Sequence, residues 1–367
     1  MPEVRGKRVL VRASLDVPMV DGVVQSHFRI VRSMPTITHL MLNGAKVVLI
    51  THLGRNPKMT LAPLAEVLKE YVPCTYVPAL SGEEVEQAMH AMKDGEVILL
   101  ENLRMHPGEL ENDATFAKTL ASYGDYYVND AFAVSHRAHA SIVGIPTFLK
   151  GFAGVSFLEE YTELAKAFSP EHPSLFIIGG AKFETKEPLI AEYTRDYTHV
   201  FVGGALANDF LKAKGFPVGE SLLSAKTLEG SPLVERENII LPIDVVVLGD
   251  AGKHEVLTGH VEPDEKILDV GPRTMDALAP YIKTAKTILW NGPLGNYEGG
   301  FDDATKRCAE MIAESDAYAV VGGGDTVTAI EELHLEDSFG FVSTAGGAML
   351  DFLEHRTLPG IEALTKK

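Results

Sequence analysis

The sequence predicts an α/β protein: two doubly wound, parallel-sheet (Rossmann-like) domains joined by an interdomain helix. Three observations predict it. Short, apolar, β-branched runs alternate with amphipathic stretches along the chain, the pattern of a mainly parallel sheet covered on both faces. A chain of 367 residues exceeds what one ordinary core accommodates. The alternation is interrupted once, by the helical run FLEEYTELAKAF (157–168) and the Pro-rich SPEHPS that follows it.

The elements follow in chain order. RVLVR (8–12), AKVVLI (45–50), EVILL (96–100) and DYYVND (125–130) read as buried strands of the first domain, 1–155. Between them, SMPTITHLMLNG is a helix ending at Gly44, TLAPLAEVLKEY a helix capped by Thr60, and FAKTLASYG a helix ending at Gly124. Residues 156–170 form the connecting helix and its break. The second domain, 171–349, resumes with SLFIIGG (174–180), THVFVGG (198–204), ENIILPIDVVV (237–247), KTILWNG (286–292), AYAVVGGG (317–324) and FGFVSTAGG (339–347). Each is read as one parallel strand.

Most of these second-domain strands run into glycine. In open α/β sheets ligands sit beyond the carboxyl ends of the strands. Glycine there lets a phosphate reach the backbone and the amino end of the next helix. One such turn is weak evidence; four, GGAK, VGGA, GGGDT and STAGGA, point to a phosphate-bearing ligand.

Charge sharpens the reading. The chain carries a net charge of −18, and nearly all of it lies beyond residue 150, because the first 150 residues hold 15 Lys and Arg against 16 Asp and Glu. So acidic a protein lacks the clustered positive charge that nucleic acid needs. No apolar run is long enough for a membrane span, and the amino terminus has no signal-like apolar core. Two distant cysteines, Cys74 and Cys308, suggest neither a disulfide framework nor a metal cluster. A reducing cytoplasm is the expected compartment. GxGxxG after an early strand is absent, which argues against a dinucleotide oxidoreductase.

Within the near-neutral first domain, cations recur where strands end. His52 and Arg55 follow AKVVLI, Arg104 follows EVILL, and HRAHA (His136, Arg137, His139) follows DYYVND; Arg29 precedes a helix. Guanidinium groups fork onto carboxylate and phosphate. Each Arg taken singly has a plain alternative, a local ion pair. Their repeated placement points to a small anionic ligand.

At these residues the chain resembles the phosphoglycerate kinase family over its whole length. The stretches that carry the resemblance are GKRVLVR, PTITHLMLNGAKVVLITHLGR, LLENLRMH, VNDAFAVSHRAHASIVGI, GGAKFETK, LPIDVVV, ILDVGPRT, ILWNGPLG, VVGGGDT and STAGGAMLDFLE with LPGIEAL. The resemblance implies reversible phosphoryl transfer between 1,3-bisphosphoglycerate with ADP and 3-phosphoglycerate with ATP, with Mg2+ as cofactor. It implies a monomer with a triose-binding first domain and a nucleotide-binding second domain, whose closure brings the substrates together. It also implies that the segment from about residue 350, with LPGIEALTKK, returns to the first domain. By motif, Ser14, Asp16, Arg29, His52, Arg55, Arg104, His136 and Arg137 would bind the triose. Arg29 and Lys182 would act on the transferring group. Gly180, Lys186, Gly204, Asn291, Pro293, Glu298, Gly323, Gly324 and Thr326 would bind nucleotide, and Asp325 the metal. Thr344, Gly346 and Gly347 would form a phosphate loop.

Three places depart from the family pattern. The family's Val-Asp-Phe-Asn-Val-Pro is Ala13-Ser14-Leu15-Asp16-Val17-Pro18 here, so the carboxylate moves two residues on. Ala345 replaces a glycine, where a methyl would crowd phosphate or forbid positive φ. Asn296 stands where an apolar residue usually lines the adenine pocket. These departures motivate one competing reading, a catalytically impaired relative that binds or regulates. Retention of Arg29, Lys182, Lys186 and Asp325 argues for the enzyme.

Overall fold

The computed structural model describes residues 3–54, 56–181 and 183–366 and divides into two units, Met1–Thr162 with His355–Lys367, and Glu163–Glu354.

The first unit contains β1 (Arg8–Ala13), a small hairpin of β2 (Met19–Val20) and β3 (Val23–Val24), then β4 (Lys46–Ile50), β5 (Cys74–Tyr76), β6 (Val97–Leu99), β7 (Tyr126–Asp130) and β8 (Gly151–Ala153). Six of these form one parallel sheet, ordered β5-β6-β4-β1-β7-β8. Val9 and Val11 enter one core cluster and Leu10 the other, so β1 is apolar on both faces, as a covered parallel sheet requires. Full burial of each such side chain stabilises by roughly 1.5–3 kcal/mol. From β1 the chain winds to one side through β4, then crosses to the other at β7. The crevice of this sheet therefore lies beyond the ends of β1 and β7.

Helix Phe28–Leu42 ends at Gly44, whose φ of +76° only glycine adopts readily. Thr60 Oγ1 accepts from the Ala62 N–H (3.2 Å) at the start of helix Ala62–Leu68 and donates to Glu101 Oε2 (2.6 Å). Asp113 caps helix Ala114–Ala121 through the Phe116 N–H (2.7 Å). The hairpin and helix Glu83–Ala91 are not among the elements read from sequence. The connecting run is helix Val155–Ala165 continued by a 3-10 turn, Lys166–Phe168. The closing helix Pro359–Thr365 belongs to the first unit, where the Gly360 N–H donates to Ser135 O (2.8 Å).

The second unit contains β9 (Ser174–Ile178), β10 (His199–Val202), β11 (Ile239–Ile240), β12 (Asp244–Gly249), β13 (Gly252–Leu257), β14 (Lys266–Val270), β15 (Thr287–Asn291), β16 (Tyr318–Gly322) and β17 (Phe341–Val342). Its parallel sheet runs β11-β10-β9-β15-β16-β17, with the switch between β9 and β15. One expectation is corrected here. ENIILPIDVVV is two strands: β11 closes the parallel sheet, while β12 heads a separate antiparallel sheet, β13-β12-β14. Pro242 lies at the break. It has no N–H for a ladder, and its carbonyl accepts instead from Thr258 Oγ1 (2.8 Å). FGFVSTAGG likewise contributes only the two residues of β17.

Candidate functional site

Beyond the ends of β1, β4, β6 and β7 the first unit gathers a cluster of cations around two carboxylates, Asp16 and Glu109. Its centre is Arg12, the last but one residue of β1 and wholly buried. Arg12 Nε donates to Ser141 Oγ (3.0 Å), Nη1 to Ala13 O (2.7 Å) and Nη2 to His52 Nδ1 (2.8 Å). A guanidinium only donates, so His52 must accept at Nδ1 and carry its proton on Nε2. That nitrogen faces Asp16 Oδ2 at 3.3 Å, and the Gly54 N–H donates to Asp16 Oδ1 (2.7 Å).

The charges follow from this geometry. Burial, with the nearby charges of Arg12 and Arg104, pushes His52 down to about 4 despite its bond to Asp16. Burial works against the Asp16 carboxylate, but the His52 and Gly54 bonds and the Arg29 charge hold it well below the usual range. Burial and the charges of Arg12, Arg137 and Arg104 push His139 down to about 4. At neutral pH the cluster is thus arginine cations, neutral imidazoles and the Asp16 anion. Ser141, in the turn Ala140–Gly144 after HRAHA, is gripped by Glu109 through its N–H (3.0 Å) and hydroxyl (2.6 Å), and Tyr127 OH donates to its carbonyl (2.6 Å). This anchors the arm that carries His136 and Arg137, whose Nε donates to His136 Nε2 (3.1 Å).

In the second unit, β9, β10, β15 and β16 run into glycine turns that interlock through the backbone. The N–H groups of Gly179, Gly180 and Gly204 donate to the carbonyls of Asn291 (2.9 Å), Pro293 (2.7 Å) and Leu294 (3.0 Å). A Cβ on Gly179 would stand 2.2 Å from Pro293 O, so no side chain fits there. Helices Phe183–Asp196, Gly204–Ala213, Gly324–Glu332 and Gly347–His355 begin just after such turns, with amino ends that suit anions. Beside the turns lies a cavity of about 500 Å³, whose lining includes Leu222, Val245, Ile267, Pro293, Asn296, Glu298 and Asp325. Lys186 is buried, its Nζ donates to Gly179 O (2.6 Å), and burial pushes it down to about 8. Burial and the Glu298 charge raise Asp325. Thr326 Oγ1 is buried with no hydrogen-bond partner among the described residues.

Of the site residues taken from sequence, Arg55 and Lys182 lie outside the described residues. Asp16 feels the charges of His52 and Arg29, His52 that of Arg104, and Arg104 those of Asp16 and Arg137. Ser14 is half-buried beside them, its carbonyl accepting from Ser33 Oγ (3.4 Å). Gly180, Gly204, Pro293, Glu298 and Asp325 share the cavity. Asn291 turns its Nδ2 toward Met349 Sδ (3.5 Å). Gly323 has φ +111°, and Thr344, Gly346 and Gly347 form the turn before the helix Gly347–His355, with φ +55° at Gly346. Ala345 is buried, and its own φ is not positive, so the departure there strains no backbone. The Asn296 side chain lies against Gly299.

Sequence reasoning does not single out Arg12, Glu101, Asn102, Glu109 or Ser141. The available signal was a cation inside an apolar strand, and an acid–amide pair directly after the run EVILL.

The chain is similar to known proteins over nearly its whole length. The family model described as phosphoglycerate kinase matches residues 2–356. The phosphoglycerate kinase of Dictyoglomus turgidum is 41% identical, with 100% of this chain and 97% of that protein covered. That of Thermus thermophilus is 41% identical, covering 98% and 97%. Among solved structures, phosphoglycerate kinase from Coxiella burnetii superposes with a TM-score of 0.84 at 36% identity, covering 99% of this chain and 96% of that one. The enzyme from Pyrococcus horikoshii gives 0.86 at 30% identity with the same coverage.

Proposed function

The chain belongs to the phosphoglycerate kinase family, and from that premise we propose which residues carry its reaction. The reaction is reversible phosphoryl transfer between 1,3-bisphosphoglycerate with ADP and 3-phosphoglycerate with ATP. In the ATP-consuming direction the nucleophile is the substrate's own carboxylate, so no protein nucleophile or general base is needed. Catalysis then rests on alignment and on stabilising the charge spread over the moving group.

The observation that carries the assignment is the set of groups around Asp16: neutral His52 beside it, Arg104 and, from helix Phe28–Leu42, Arg29 within reach of its charge, and Arg137 within reach of Arg104. These groups, with Arg55 and His136, take the triose phosphate and carboxylate; Ser14 and Asp16 line the same crevice. Arg29 also meets the transferring phosphoryl, and Lys182 meets it from the nucleotide side. In the second unit the glycine turns and the cavity take the nucleotide. Lys186 and the amino end of helix Gly324–Glu332 receive phosphate oxygens, Thr326 offering its unused hydroxyl. Gly346 and Gly347, with Thr344, add the second phosphate loop. Asn291 supports the turn at Gly323, and Glu298 reaches the ribose hydroxyls. Asp325 fits Mg2+, a hard cation held by one or two carboxylates together with substrate phosphates, and its neighbour Glu298 already makes the place electronegative. When bound, Mg2+ would offset nucleotide phosphate charge. A monomer acting in the cytoplasm completes the reading. No helix among the described residues is long and apolar enough to cross a membrane.

The test is a coupled assay of ATP formation from 1,3-bisphosphoglycerate and ADP, with and without Mg2+, alongside calorimetric binding of ADP. Turnover that requires Mg2+ is expected. ADP binding without any turnover would overturn the assignment of roles.

A further inference from the structure

We propose that Asn102 is a positioning residue for triose recognition: its side-chain amide latches Leu53 and Met59 to the end of β6, and with them the groups that shape the anion crevice. The proposal rests on the reading of that crevice as the triose site.

Asn102 follows β6 within four residues and is fully buried. Its Oδ1 accepts from the N–H groups of Leu53 (3.3 Å) and Arg104 (3.0 Å). Its Nδ2 donates to the carbonyls of Leu53 (3.2 Å) and Met59 (2.8 Å). A side-chain amide offers two donor hydrogens and two acceptor lone pairs, and all four are used. Three of the four go to Leu53 and Met59, which lie in no helix or strand among the described residues. The preceding Glu101 holds the residues just after Met59, accepting from the Leu61 N–H (2.8 Å), the Thr60 hydroxyl (2.6 Å) and Tyr76 OH.

Their placement matters because of Gly54. Its N–H fixes Asp16 (2.7 Å), and its carbonyl accepts from Arg104 Nη1. Asn102 grips Leu53 on one side of Gly54 and Met59 on the other, and it also sets the Arg104 backbone. One buried amide thus determines where an arginine and a carboxylate of the crevice stand. Without it Leu53 and Met59 lose their seat. A displacement of about 1 Å in such a site lowers performance by up to about 10²-fold.

The experiment uses the full-length chain with Asn102→Ala and Asn102→Asp. The second keeps the size and both acceptors, removes both donors, and turns a charge toward two carbonyls. Steady-state kinetics in the ATP-consuming direction vary 3-phosphoglycerate at saturating ATP, then ATP at saturating 3-phosphoglycerate. The expected result is a KM for 3-phosphoglycerate raised about ten- to a hundredfold, with the KM for ATP within about twofold. Asp125→Ala is the control. It removes the acceptor of the Arg8 N–H (2.8 Å) at the opposite, amino end of β1, and should lower the thermal midpoint while leaving both KM values in place. The proposal is overturned if the Asn102 variants leave the triose KM unchanged, if they shift both KM values alike, or if Asp125→Ala raises the triose KM as much. Should Asn102→Ala not accumulate as folded protein, Asn102→Asp decides. A wild-type chain that fails to turn over 3-phosphoglycerate removes the functional reading itself; normal wild-type turnover with unaffected variants removes only this inference.

Discussion

Lys186 should make nucleotide binding take up a proton. In the unliganded chain its ammonium is buried, has Gly179 O as its one hydrogen-bond acceptor among the described residues, and is pushed down to about 8 by burial. About a tenth of it is then neutral at pH 7, half at pH 8 and nine-tenths at pH 9. A phosphate beside it favours the charged form, so binding must refill the missing proton. The apparent Kd for ADP should therefore rise about tenfold between pH 7 and pH 9, roughly 1.4 kcal/mol. The phosphates change little across this window, because a last ionisation at about 6 is roughly nine-tenths complete by pH 7 and acts in the opposite direction above it. Isothermal titration calorimetry in buffers of different ionisation enthalpy reads the uptake directly: about half a proton at pH 8. Lys186→Met should bind more weakly and show neither uptake nor slope. The sign for stability is separate. A lysine whose folded value is depressed destabilises the unliganded fold below pH 8, and that loss is relieved as pH rises from 8 toward 10. An ADP affinity that is flat from pH 7 to 9, or a slope that survives in Lys186→Met, would refute the reasoning.

Further predictions concern the first unit. Arg29→Ala should lower kcat far more than it changes ADP affinity, because its charge serves the transfer itself; unchanged turnover in the coupled assay would remove Arg29 from that role. Arg12→Met strips a buried cation from His52, Ser141 and Ala13 O, and should cost about 3–5 kcal/mol by denaturant unfolding. It should also move the His52 titration upward by NMR, only in part because burial and Arg104 remain, and an unmoved His52 would contradict the geometry. Asp130 accepts from the Phe157 N–H (3.0 Å) at the start of helix Val155–Ala165, while burial raises it to about 7. A carboxyl raised in the fold contributes stability that is full below about pH 4 and lost as pH climbs to 7. Relative to the wild type, Asp130→Asn should gain up to roughly 4 kcal/mol between pH 4 and pH 8. Parallel stability profiles for the two proteins would contradict this.

The fold class is legible because its cause is local. Val9, Leu10 and Val11 are apolar without alternation, which only a sheet covered on both faces tolerates. The glycine turns are legible for a related reason: Gly179 and Gly323 are demanded by close backbone approach and positive φ, and few residues substitute. The antiparallel sheet around β12 is less legible. Its first strand is fused in sequence to β11, and only Pro242 marks the join. Arg12 and Asn102 escape notice because their meaning is set by partners 40 to 129 residues away in the chain. In a single sequence an arginine within RVLVR and an asparagine within LLENLR are just polar interruptions. Their hydrogen bonds exist only once β1, β4, β6 and the 136–144 arm are folded together.

Asp16 and Glu109 have one last consequence. They sit among the arginines before any ligand arrives, so the crevice resembles a salt already supplied with part of its counter-ion. Loading it with a phosphorylated acid is an exchange of anionic partners rather than the neutralisation of bare charge. Fewer mobile ions are then released per molecule bound, and affinity for the triose should decline only gently as ionic strength increases.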